Sequence, residues 1–398
     1  MSSKNNGGIV SCDEEVAFVV DVALDPAFVF ERDAFYSQRL ADADASNDEL
    51  DAFGDDAPRF CGAGDYDCFI PSALARARAK GAAFAKIRAE FCETIGALTG
   101  AARVRVAAYR EGSALARACR VACLATARPR VLAHDSLHPD ALRLLDAYAS
   151  AGLFDLARFS DLAALDAALE SASEQVACVV ASFPNYYGGL ESIAELAERA
   201  HKRGALSIAA LNDVVAAAAL KPVCAFGADL VVGDARPFVT RRAASEPTLG
   251  FIGFAPGFES PLSEAEIRGT AVKAPAVDAE AAERALIYYA KAGLAGMSEA
   301  ARRSRKTAVR ARKALADAGF RFHHETPFAR EFAVKIADPR GMNAFLSRWG
   351  VGGGRILDDG MILAFTEKRV EGEIDELVYL MTMFEFGEAA AQERATRR

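Results

Sequence analysis

The 398-residue chain predicts an α/β fold, with a mostly parallel sheet in a large domain and a smaller C-terminal α+β domain. Three observations predict it. Short apolar strand-like segments alternate with helix-like spacing across the central part of the chain, the pattern of βαβ units. After Leu249 the rhythm changes to strand, helix, hairpin, helix. Hydrophobic residues make up 52%, enough to bury a core of that size.

Residues 1–59 read as an N-terminal arm and acidic linker. Ser2–Gly8 is polar, Val16–Phe30 is apolar enough to dock on a body, and Ala41–Pro58 is rich in Asp and Ala. Packed structure is expected from Phe60, with the large domain over 60–275 and the small one over 276–398. Helical spacing over Ala73–Thr99, Ser113–Thr126, Pro139–Ala151, Leu162–Ala172 and Leu190–Arg203 is interleaved with predicted strands. These strands are Val104–Ala108, Arg130–Ala133, Phe154–Phe159, Val176–Ser182 and Leu206–Leu211. Val214–Leu220 is short and helical, Leu230–Val232 and Phe251–Phe254 are strands, and Pro256–Val277 is irregular. Asp278–Leu315 predicts a long charged helix, Arg321–His324 and Phe332–Ile336 predict strands, and Arg340–Trp349 predicts a helix. Arg355–Leu357 and Met361–Phe365 flank Asp358, Asp359 and Gly360, a hairpin signal, and Glu371–Glu385 is the last helix.

The net charge of −8 disfavours a nucleic-acid partner. A basic run on the long helix, from Arg302 to Lys313, reads as a solvated helix face. The longest apolar run, Val214–Leu220, is seven residues. A membrane span needs about 20, so none is expected. No basic stretch followed by an apolar one opens the chain as a signal peptide would. The eight cysteines form no C-x-x-C pair, and none of the five histidines has ligand spacing to a cysteine pair. A cytoplasmic protein with reduced, mostly buried thiols and no metal site is expected.

Ligands of doubly wound sheets bind at the carboxyl ends of the strands. Gly112 and Ser113 open a helix there and can present backbone N–H groups and a hydroxyl to an anion, or simply cap that helix. His138, just before Pro139, can stack on an aromatic cofactor or be a plain loop residue. Asn185, after Phe183-Pro184, can donate to a ring oxygen or make a turn. Asp213 can pair with a pyridinium nitrogen or cap the next helix. One strand further on, a pyridoxal enzyme would carry its Schiff-base lysine. The chain has no lysine between Lys221 and Lys273, and Arg236, Arg241 and Arg242 cannot substitute because a guanidinium stays protonated. Covalent attachment is thereby excluded at this place, while non-covalent binding of such a cofactor stays open.

The stretch Phe60-Cys-Gly-Ala-Gly-Asp-Tyr-Asp-Cys-Phe-Ile-Pro71 resembles the F-x-G-x-G-x-Y-D-x-x-I-P motif of subunit 1 of glycine decarboxylase, the P-protein of the glycine cleavage system in its two-subunit bacterial form. Ser136-Leu-His-Pro139, Phe183-Pro-Asn-Tyr-Tyr-Gly188, Gly227–Gly233 and Phe365-Thr-Glu-Lys-Arg369 are similar to further blocks of that family. The resemblance covers about residues 60–390 and implies an aminotransferase-like fold, pyridoxal-phosphate fold type I. It also implies pyridoxal phosphate held by a subunit 2-like partner, none bound covalently here, and transfer of an aminomethyl group from glycine to a lipoyl H-protein. The chain departs from the family after the opening motif, where a Tyr-Thr-x-Tyr-Gln-x-Glu segment is absent, and at Tyr109–Ala114, where Arg110 and Glu111 replace Asp and Gly. Those departures carry an alternative, a catalytically inert scaffold or regulatory paralogue of the same subunit.

Overall fold

A computed structural model describes residues 58–63, 66, 68, 82–107, 111–172, 174–235, 250–258 and 279–387. The expected arm before residue 58 and the irregular stretch that carries the 275/276 boundary lie outside the described residues.

Helix α1 (Ala82–Thr99) leads into β1 (Arg103–Ala107) and α2 (Glu111–Thr126). There follow β2 (Arg130–His134), α3 (Pro139–Ser150), β3 (Asp155–Phe159), α4 (Leu162–Ala172), β4 (Val176–Ser182), α5 (Ile193–Lys202) and β5 (Leu206–Leu211). A short α6 (Val214–Ala217) and a 3-10 turn (Val223–Phe226) precede β6 (Leu230–Asp234) and β7 (Gly250–Phe254). The seven strands form one sheet in the order β1-β7-β6-β5-β4-β2-β3. Strands β3, β2, β4, β5 and β6 are mutually parallel, and β7 runs antiparallel to both its neighbours. Alternation along the strands splits the core. Ala209, Leu211 and Val231 face one side with Phe91, Leu165 and Leu196, while Ile208, Ala210 and Val232 face the other with Leu115, Ala118 and Leu145. A sheet buried on both faces needs apolar residues at every position, and β4 is buried throughout.

The long helix α7 (Ala279–Asp317) breaks at Gly293, whose φ of 59° lies outside the helical range. Its first part packs Leu286 and Tyr289 into the large core, and its second part packs Ala308, Ala311 and Leu315 into the small one. The rest of the small unit is β8 (Glu331–Lys335), α8 (Pro339–Arg348), β9 (Arg355–Ile356), β10 (Gly360–Ala364) and α9 (Glu371–Phe386), with sheet order β8-β10-β9. The predicted hairpin is present, with Leu357 N–H donating to the Gly360 carbonyl at 2.9 Å.

Two local expectations change. Arg321–His324 is a single bridge, Phe322 to Val334, rather than a strand. The His324 ring contacts the Tyr187 carbonyl at 2.9 Å, and backbone pairing stops at His323. The helix expected from Leu190 starts at Ile193, because Leu190 donates to the Pro327 carbonyl at 2.8 Å and Gly189 bridges Phe328. The basic run on α7 is largely a solvated face, as expected, with its exposed side chains also paired within the chain. Arg302 and Arg303 meet Glu299, Arg310 meets Glu371 and Asp375, and Lys313 meets Asp317. Arg305 lies 4.2 Å over the Phe328 ring and Arg312 lies 4.3 Å over that of Phe322. No described helix is long and apolar enough to cross a membrane.

Candidate functional site

The carboxyl ends of β4 and β5 lie side by side, with Ser182 opposite Ala210. The chain leaves β4 through Phe183-Pro184, a cis peptide, and turns at Asn185. Asn185 Oδ1 accepts from the Tyr187 and Gly189 amides at 2.9 and 2.8 Å, and its Nδ2 donates to Glu191 at 2.7 Å. Asn185 therefore makes the turn itself. Tyr186 connects this loop to the one after β2. Its N–H donates to the Ser136 carbonyl at 2.8 Å, and its ring meets His138 edge-on at 5.1 Å. His138 is the N-cap of α3, accepting at Nδ1 from the Asp140 amide at 3.1 Å.

A polar group unforeseen in the sequence stands beside them. His134 Nδ1 accepts from the Ser136 N–H at 3.0 Å, and Ser136 Oγ lies 2.8 Å from that nitrogen and 3.1 Å from Glu191. Glu191 also takes the Asn185 amide, so one carboxylate organises both loops.

Asp213 is fully buried at the end of β5. Its Oδ1 accepts from the Val215 and Ala216 amides at 3.1 and 3.0 Å, which caps α6. Both carboxylate oxygens also accept from Arg330. Nη2 reaches Oδ1 at 2.7 Å and Nε reaches Oδ2. Arg330 comes from the residue before β8, so the pair spans the two sheets. Its Nη1 lies 3.6 Å from Cys68 Sγ and 3.9 Å from Glu367, and the Tyr66 ring covers the guanidinium at 4.2 Å. Burial is the largest influence and opposes the Arg330 charge, but Asp213 and the other acidic groups around it together hold its pKa well above the ordinary arginine value. The neighbouring Glu331 accepts from Tyr66 Oη and from the Ala63 amide, each at 2.8 Å. Burial, helped by the Asp213 charge, pushes its carboxyl up to about 7 despite those donors.

The structure thus brings His138 and Asn185 into neighbouring loops. Asn212 links Asp213 to them by donating to the Pro184 carbonyl at 3.3 Å. Gly112 and Ser113 lie in the first turn of α2, and their side chains are outside the described residues. Arg330, Glu331 and Tyr66 escaped sequence reading. The available signal was an Arg-Glu pair directly ahead of the apolar strand Phe332–Val334, together with the tyrosine of the opening motif. Among the described residues no cluster of His, Cys, Asp and Glu suits a metal ion.

Comparison with known proteins follows the same lines. Residues 48–259, more than half the chain, match the family described as the glycine cleavage system P-protein. The probable glycine dehydrogenase (decarboxylating) subunit 1 of Syntrophomonas wolfei is 29% identical over 369 residues, covering 82% of this chain and 84% of that protein. Its namesake in Anoxybacillus flavithermus is 27% identical over 375 residues, covering 80% and 82%. Among solved structures, glycine decarboxylase (P-protein) in inhibitor-bound form superposes with a TM-score of 0.70 at 23% identity, covering 93% of this chain and 92% of that one. An alanine–glyoxylate aminotransferase from Nostoc superposes at 0.61 with 16% identity, covering 84% and 97%. The fold is therefore the aminotransferase-like one, and pyridoxal phosphate is the group it implies. The residues of this chain do not fit that group. No lysine lies between Lys221 and Lys273, and both oxygens of Asp213 are engaged by Arg330. Two buried atoms at this edge, Ser182 Oγ and Asn212 Oδ1, have no partner among the described residues, but both are neutral and neither supplies an amine.

Proposed function

Because the chain belongs to the glycine cleavage system P-protein family, we propose that it is the first subunit of a two-chain glycine decarboxylase whose pyridoxal phosphate is held by a subunit 2-like partner. One observation carries this reading: likeness to subunit 1 proteins over 82% of the chain coexists with the missing lysine. A chain that lacks the amine cannot form or exchange the imine on which glycine chemistry at this cofactor depends. Its role is to complete the fold and the interface around a partner that has the amine. The complex would decarboxylate glycine and pass the aminomethyl group to a lipoyl H-protein. Gly112, Ser113, His138, Asn185 and Asp213 would mark a vestigial cofactor pocket, in which His138, Asn185 and Asp213 are engaged by contacts within the chain. The absence of a C-x-x-C pair fits a cytoplasmic protein with reduced thiols.

The absent Tyr-Thr-x-Tyr-Gln-x-Glu segment supports a second reading, a scaffold that keeps the interface without the chemistry. Co-purification with a subunit 2-like chain followed by glycine–bicarbonate exchange separates the two. Exchange that needs both chains supports the subunit. A stable complex without exchange, whose partner is active with a full-length family subunit 1, leaves the scaffold.

A further inference from the structure

Arg330 is the largest of the fully buried side chains among the described residues. A charge in that position costs several kcal/mol unless it is paired and hydrogen-bonded. Its partner is Asp213, at the strand end where a fold of this class places the carboxylate that meets the ring nitrogen of the cofactor. A pyridinium would offer that carboxylate one N–H. Arg330 offers two, Nε and Nη2, in the fork that matches a carboxylate. The slot beside Asp213 is then closed by Tyr66, stacked on the guanidinium at 4.2 Å.

We infer that Arg330 determines this chain's cofactor specificity: its guanidinium stands in for the pyridinium on Asp213 and so excludes even non-covalent binding of a pyridoxal ring. Loss of the lysine accounts only for the missing covalent bond. The internal cation accounts for the rest. It also joins the two sheets, because Asp213 follows β5 and Arg330 precedes β8. The inference concerns this chain alone, so an inactive complex in the exchange assay leaves it standing.

Pyridoxine phosphate tests it, since it has the ring and phosphate but no aldehyde to form imines with surface lysines. Titrated into the full chain in a calorimeter, it is expected to show no one-to-one binding. One-to-one binding by the wild type overturns the inference, and a loss of about tenfold or more in Asp213→Asn would show that the carboxylate is available to the ring. A double-mutant cycle of Asp213→Asn and Arg330→Gln in urea gives an independent reading. Each single change is expected to lower the folding equilibrium constant by about 100-fold or more. The double variant should lose little beyond either single one. Additive losses overturn the pairing. If Arg330→Gln does not fold, the titration of the wild type and Asp213→Asn decides alone.

Discussion

Tyr66 donates its hydroxyl to Glu331 across 2.8 Å inside the protein, joining the opening motif to the first strand of the small sheet. The other Glu331 oxygen takes the Ala63 amide, so the carboxylate anchors that loop at two points. Tyr66→Phe leaves one buried acceptor without its donor. The expected loss is about 1–3 kcal/mol, read as a lower urea midpoint. An unchanged midpoint would show that the bond contributes nothing.

Glu331 also predicts a pH dependence. Its carboxyl is pushed up from the ordinary 4.5 to about 7, chiefly by burial. The native state then holds the proton more tightly than the unfolded chain does. The resulting stabilisation is full below about pH 4.5 and is lost as pH rises through about 7, a change on the order of 3 kcal/mol. His324 acts in the opposite sense. Burial lowers its pKa from the ordinary 6.5, so its stabilisation is present above that value and lost as pH falls. Glu331→Gln is expected to remove the first slope and keep the second. Unfolding midpoints measured on both proteins across this range test it, and parallel curves would contradict the assignment.

Gly188 has a φ of 85°, and a Cβ there would sit 2.2 Å from the Glu331 carbonyl oxygen. Gly188→Ala therefore meets both an unfavourable backbone and rigid main chain, and should cost about 3 kcal/mol or more. Gly152, with a φ of 74° and nothing within 4 Å, is the control. Its replacement by Ala should cost only the left-handed penalty of about 1–2 kcal/mol. Thermal unfolding of both variants checks the difference, and equal losses would mean the close approach is not rigid.

Three thiols should be unreactive in the native chain. Burial pushes Cys123 and Cys224 up to about 12 and Cys68 higher still, which leaves very little thiolate near neutral pH. Alkylation followed by mass spectrometry is expected to label these three only after unfolding. Rapid native labelling of Cys68 would mean that its burial does not hold.

Much of the fold was legible because its cause is local. Alternation of apolar runs sets the strands, and Leu162–Ala172, Val176–Ser182 and Leu206–Leu211 occur at their expected bounds. The hairpin at Asp358 to Gly360 was announced by its turn residues. Arg321–His324 failed for the complementary reason. A strand needs a continuing partner, and His324 is drawn instead to the Tyr187 carbonyl, 137 positions away.

The sequence by itself determined that no lysine lies between Lys221 and Lys273, since a residue type missing from a stretch of chain is missing there in every conformation. It also carried the family, through motifs whose spacing survives without coordinates. Only the tertiary structure decided what Asp213 does. Two roles for that carboxylate were open, ring partner or helix cap. It does cap α6, but its charge is met by an arginine from the small sheet. That outcome depends on two distant segments packing together and excluding water, because a bare charge is tolerable in solvent and costly inside.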